Sequence, residues 1–340
     1  LPILESADFS IIPTASLNPD PKNPTIIDYR NTSGPYYVEK DSQIGELKLK
    51  ANPNHYHFHP QMPQLVELVP ADNYTVNQLF EKHKIDLAPV EQSLFGEFAK
   101  EIGAKKSEYS IHESLPFQTQ LLYFSPASVQ KFSAAQRFYA ANIIENALYR
   151  IRKSTDRKPT IEFLQSLSDG SLSEAEREEI RRLRNIGERP KFTKPIRFLV
   201  LKKNLEDWKK ELTDYPEVEL VPSETYLMDL PIEDRPDVYY GETDSAFAES
   251  LNLLEYNFNL QFFHLPGLDP RKWIQDYIDT ENREVRITKL QKLHFELLKN
   301  AVIYPMAVGP YQAFAHKPWR LNFSTFSAGS ELWRMRYEIP

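Results

Sequence analysis

The chain contains no cysteine. That excludes disulfides, thiolate metal centres and cysteine nucleophiles within these residues, while leaving the compartment open. Glycine is also scarce, with 10 residues against 26 prolines. Few glycines leave little room for the loops that cradle phosphates against a helix N-terminus. The sequence accordingly has no G-x-G-x-x-G and no G-x-x-x-x-G-K-[ST], and it also lacks G-x-S-x-G and H-E-x-x-H. Long apolar runs are missing too. The stretch AVIYPMAV at 301–308 falls far short of the roughly 20 residues a membrane-crossing helix needs. Nor is there a basic excess: 48 acidic residues against 41 basic ones leave a net charge of −7. Such a surface does not attract nucleic acid or an anionic membrane, so no nucleic-acid partner is expected.

What is present is core material. Apolar residues make up 41% of the 340, and aromatics 12%, including 18 Tyr and 20 Phe. The length allows two domains or one large two-lobed body.

Periodicity gives the coarse plan. GPYYVEKD, GELKLKANP and QLVELVP alternate as strands do. NYTVNQLFEKHKIDLAP reads as a short helix running into a buried strand, and SLFGEFAKEIGAK (93–105) as a further helix. TQLLYFSP is a buried strand. Residues 133–153 form the clearest helix, with Ser133 as its cap and Phe138, Ile143, Ile144, Ala147 and Leu148 on its apolar face. A second helix over 173–187 opens on Ser173 and acidic residues and closes on arginines and Gly187, as the helix dipole prefers. Its charge run is expected to be a solvated face. IRFLVLKK, LEDWKKELTDYP and VELVPSE give strand, helix, strand, the βαβ unit of an α/β domain. RPDVYYGETDS carries a short strand ending in a polar loop, and the AFAESLNLLEYNF helix follows it.

In ANPNHYHFHP (51–60), His55, His57 and His59 fall at alternate positions. On a strand they would share one face, about 6.6 Å apart, and three imidazoles so placed are a candidate zinc or copper site. The other reading is a half-buried strand, with Tyr56 and Phe58 inward and the histidines outward.

Three pieces, in order, resemble the family 5 extracellular solute-binding proteins, the oligopeptide- and dipeptide-binding receptors of ABC importers. NTSGPYYVEKDSQIGELKLKANPNHY is similar to that family's run from G-P-Y through two strands to N-P-x-Y. QLFEKHKIDLAPV resembles its helix-to-strand element, with Lys84-Ile85-Asp86 in the matching place. LHFELLKNAVIYPM resembles its last helix and returning strand. Arg137 stands at the family's usual arginine in the helix that opens the middle segment, but the Asp-Arg later in that helix is absent.

The resemblance implies an α/β fold of the periplasmic binding protein type II-like kind, two-lobed, with the first lobe incomplete in this chain. Residues 1–75 would be part of lobe I, 76–304 lobe II, and 305–340 the return to lobe I. It gives the opening of the histidine stretch, Asn52, Pro53 and Tyr56, a structural job. The half-buried strand is therefore expected, and no metal.

It further implies a binding component of an importer, with no catalysis and no cofactor, exported to the periplasm by a signal peptide that is not in this chain. Its partners would be a peptide or peptide-like ligand and the membrane permease subunits, with lobe closure as the mechanism. A sensor domain of a transcriptional regulator is the alternative use of the same fold. In the family, an acid and an aromatic pair after a short strand of the second lobe meet the ligand's α-ammonium. DVYYGETDS holds that place, so Tyr239, Tyr240, Glu242 and Asp244 are the expected ligand-binding residues. The bland alternative is a polar cap for the following helix, with Thr243 or Asp244 as N-cap.

Overall fold

A computed structural model describes residues 34–39, 47–69, 73–89, 108–152, 157–164, 168–224, 230–231, 234–243, 250–262, 264–321 and 335–337. The helix expected over 93–105 lies outside these residues, as does Asp244. The chain forms two compact units, residues 1–115 with 311–340, and residues 116–310. Both crossings fall inside long strands, β5 (Tyr109–Phe124) and β10 (Ile303–His316).

The first unit contains an antiparallel sheet of β1 (Tyr36–Val38), β2 (Leu47–Ala51) and β3 (Leu65–Leu68), the strands read from the sequence. Tyr36 pairs with Ala51 and Leu47 with Leu68. Helix α1 (Asn73–Glu81) leads into β4 (Leu87–Pro89), which pairs antiparallel with Ala313, Phe314 and Ala315 of β10. Phe80, Ala88, Tyr109 and Phe314 close a small core there. The His316 ring stacks on Phe80 with centroids 4.2 Å apart, and its Nε2–H donates to the Phe80 carbonyl at 2.8 Å. This packing holds Phe80, Ala88 and Tyr109 in the first unit, beyond residue 75, where the sequence reading ends that segment. β11 (Trp319–Arg320) and β12 (Arg336–Tyr337) form a two-stranded pair.

The histidine stretch departs from the expected strand. β2 stops at Ala51, and residues 52–62 turn repeatedly. The reason is local: Asn52 Oδ1 accepts from the Asn54 N–H, and the Asn52 carbonyl accepts from the His55 N–H. These are the side-chain and backbone bonds that favour turns over ladders. Tyr56 is 80% exposed, not inward. His55 and His57 have ring centroids 5.6 Å apart, and the His57 N–H donates to His55 Nδ1. Among the described residues, no group of three or more His, Asp or Glu is placed to hold a metal ion.

In the second unit the sheet runs in the order β10-β5-β9-β7-β8, with β7 (Ile196–Leu201), β8 (Val218–Ser223) and β9 (Val238–Thr243). β8 and β9 flank β7 in parallel, β9 meets β5 antiparallel, and β6 (Lys158–Pro159) adds to β10. Strand alternation sorts the side chains to two faces. Leu121, Tyr123 and Tyr239 face α6 (Ser250–Asn259), α7 (Pro270–Ile278) and α8 (Arg283–Lys299). Leu122, Phe124, Phe198 and Val238 face α3 (Ala134–Arg152) and α5 (Leu205–Leu212). Each such side chain fully buried stabilises the fold by about 1.5–3 kcal/mol.

Caps bound the helices as the sequence indicates. Ser133 and Gln136 bond reciprocally before α3, and Ser173 with Glu176 forms a capping box at α4 (Glu174–Arg184). Helix α4 is not wholly a solvated face, however. Arg177 reaches inward to the buried Glu162, with Nε 2.6 Å from Oε1, and Arg184 turns under the helix.

Arg137 of α3 is buried, and its hydrogen-bond partners among the described residues are all backbone carbonyls. It donates to the carbonyls of Val129 and Phe132 around the end of α2 (Pro126–Lys131), and to Asn300 and Ala301 just past α8. A cation placed on two helix C-termini answers both their orphan carbonyls and their negative dipole ends.

Candidate functional site

The even-numbered residues of β5 and β9 continue past the apolar rows under α3 as a polar patch. Gln120 stands directly opposite Glu242, and Leu122 opposite Tyr240. The strand period that buries Leu122 and Phe124 therefore puts Gln118, Gln120, Tyr240 and Glu242 on one face. Glu242 is held at both oxygens. Oε1 accepts from Gln120 Nε2 at 2.8 Å and from the Tyr240 hydroxyl. Oε2 accepts from Arg157 Nη2 at 3.3 Å and from Gln118 Nε2 at 3.4 Å.

Arg157 comes from the approach to β6. Its side chain is 9% exposed, against 26% for that of Glu242. Nη1 donates to the Gln118 carbonyl at 3.1 Å and Nη2 to Gln118 Oε1 at 3.0 Å. Gly309 of β10 makes room for it: a Cβ there would lie 2.7 Å from Arg157 Cγ. The patch is thus a carboxylate neutralised by a guanidinium, framed by two amides and a phenol. Such groups orient charged and amide parts of a ligand, and nothing among them is arranged as a nucleophile with its base.

Of the residues singled out in the sequence, Tyr240 and Glu242 meet here. Tyr239 is directed to the opposite face, where it is 3% exposed, stacks on Tyr123 at 5.0 Å and donates its hydroxyl to the Phe262 carbonyl at 2.8 Å. Burial pushes its phenol pKa well up. Gly241 belongs to that arrangement, since a Cβ at 241 would lie 2.8 Å from Tyr123 Cε2. Gln118, Gln120 and Arg157 escaped the sequence reading. The two glutamines carry a usable signal, as polar residues at period two with Leu122 and Phe124. Arg157 carries none.

No family model and no curated protein matches the chain. Solved structures do. NikA from Brucella suis in complex with Fe(III)-EDTA superposes with a TM-score of 0.69 at 14% identity, over 95% of this chain and 72% of that one. A dipeptide binding protein from Pseudoalteromonas sp. SM9913 in complex with Met-Leu gives 0.64 at 12% identity, over 90% and 64%. The Escherichia coli murein tripeptide binding protein MppA gives 0.60 at 15% identity, over 89% and 64%. The chain thus spans about two thirds of the length of these proteins. At such identities the likeness establishes the fold, an α/β fold of the periplasmic binding protein type II-like kind.

Proposed function

We propose that the chain is a solute-binding component, or a portion of one, of an ABC-type importer. It acts outside the cytoplasmic membrane, takes up a peptide or peptide-like solute by lobe closure, and passes it to membrane permease subunits. No bond is made or broken. The observation that carries this reading is Glu242, the acid expected from the sequence, held on a strand end with Tyr240 beside it and a cation already on one oxygen. An α-ammonium reaches Glu242 by replacing Arg157 on Oε2, exchanging one cation for another while Gln120 and Tyr240 keep the carboxylate in place. The Met-Leu dipeptide and the murein tripeptide named for two proteins of the same fold support a peptide-like ligand. Asp244, two residues on, belongs to the same proposal as a ligand contact.

The test is titration calorimetry with a panel of short peptides and their N-acetylated forms. A free amino terminus should bind about tenfold or more tightly than its acetylated form, the range of a charge-assisted hydrogen bond. Glu242→Gln should erase that difference. A wild-type chain that takes up no peptide, or a Glu242→Gln variant that keeps the full preference, would overturn the reading.

A further inference from the structure

Arg157 does more than neutralise Glu242. Its side chain touches three neighbouring strands, β10, β5 and β9, in the order they take in the sheet. The stem lies on the backbone of Gly309 in β10, where an added Cβ would come within 2.7 Å of Cγ and 3.4 Å of Cδ and Nε. The head bonds Gln118 of β5 twice, from Nη1 to the backbone carbonyl at 3.1 Å and from Nη2 to Oε1 at 3.0 Å. Nη2 carries a second N–H, and this one goes to Glu242 Oε2 of β9 at 3.3 Å. The bond to Glu242 is the longest of the three, and the one that an entering cation can replace. All of these residues belong to the second unit.

β5 and β10 are also the strands along which the chain passes between the units, at 115–116 and 310–311. Gln118 stands two residues inside the first crossing, and Gly309 directly precedes Pro310 at the second. Each crossing carries a proline, Pro116 and Pro310, and a proline gives no N–H to a sheet ladder. The backbone ties of both strands are thinned there, and the Arg157 side chain adds a tie beside them. The chain passes between the units at these two places alone, so lobe closure has to act through them.

We propose that Arg157 is a strap coupling the charge on Glu242 to the two crossing strands. While its head is shared between Glu242 and Gln118, it braces β5 against β10. A ligand's ammonium on Oε2 takes its place at Glu242, frees the head and loosens the brace. This trigger rests on the solute reading above, whereas the strap is tested without any ligand.

The test follows hydrogen exchange of the full, ligand-free chain at the amides of Ala307, Val308 and Gly309. β5 separates these residues from Glu242 on β9, so an effect carried by the strap has to vanish when Arg157 is removed. Glu242→Gln should speed their exchange about threefold or more in the wild-type background, and leave it unchanged in an Arg157→Leu background. Should Arg157→Leu not fold, Arg157→Lys replaces it. One ammonium keeps the charge but not the fork, and the effect should fall below about twofold. Exchange on β10 that ignores Glu242→Gln would overturn the strap, and so would an equal effect in both backgrounds. For the trigger, a short peptide that binds should move the Arg157 Nε–H NMR signal towards its position in Glu242→Gln. A signal that stays in place while peptide binds would overturn the trigger. A chain that takes up no peptide would overturn the solute reading and the trigger with it, and the ligand-free comparison would still decide the strap.

Discussion

Gln120 on β5 and Glu242 on β9 are direct cross-strand partners, and the amide of one donates to the carboxylate of the other at 2.8 Å. Cross-strand pairing fixes this geometry without any loop, so the carboxylate that the proposed ligand meets sits on rigid backbone. Arg157 reaches the same carboxylate from a separate segment, and how it is held there governs the behaviour of the patch.

Gly309 is the residue that admits Arg157. Gly309→Ala should destabilise the chain by about 1–3 kcal/mol, because the added methyl would press on Arg157 Cγ at 2.7 Å. In an Arg157→Ala background the same substitution should be close to neutral. Urea denaturation of the four chains checks this; an equal loss in both backgrounds would mean that the clash lies elsewhere.

Tyr239 and Tyr240 are neighbours with opposite fates. Tyr239→Phe loses the bond to the Phe262 carbonyl and should lower stability by about 1 kcal/mol, with peptide affinity unchanged. Tyr240→Phe should do the reverse, leaving the unfolding midpoint nearly constant while loosening Glu242 and weakening binding. Calorimetry of both variants separates the two faces, and matched effects would deny the alternation.

Arg137 satisfies four backbone carbonyls at two helix ends. Arg137→Met keeps the apolar stem and removes every donor, so it should cost on the order of 3 kcal/mol or more. Arg137→Lys restores the charge but not the fork, and should recover only part. Denaturant midpoints of the three chains give the answer. A neutral Arg137→Met would show that water replaces the guanidinium.

His294 should make stability depend on pH. Its Nε2 accepts the N–H groups of Phe163 and Leu164, and its Nδ1–H donates to the Gly170 carbonyl, so the buried ring is neutral. Burial lowers its pKa from 6.5 to about 4. The unfolded chain therefore binds the proton first as pH falls. The contribution of this residue is full above pH 6.5 and is lost as pH falls towards 4, amounting to about 3 kcal/mol over the window. His294→Asn should flatten the pH dependence of the unfolding free energy between those limits. A slope unchanged by the substitution would assign it to other groups.

Much of the local structure was legible because its cause is local. TQLLYF reads as a buried strand and VYYGET as part of a short one, and both are strands. Only the paired sheet shows that Tyr239 and Tyr240, expected together at the ligand, lie on opposite faces. Ser133 and Ser173 announce their helices through side-chain bonds to residues three positions on. The same kind of cause misled in ANPNHYHFHP. There Asn52 and Pro53 favour a turn, but the alternation of His55, Tyr56 and His57 imitates a strand.

What the sequence alone indicated is therefore most of the strands and helices, and Glu242 as the acid to watch, though in a loop; the strand in fact runs through it to Thr243. Only the tertiary structure decided which groups answer Glu242. Arg157 meets Glu242 across 85 positions, and His294 meets Phe163 across 131. Arg137 reaches Ala301 across 164. Hydrogen bonds and ion pairs act over about 3 Å. A partner so far along the chain comes within that distance only after the sheet and its helices have packed, and no local pattern of residues encodes it.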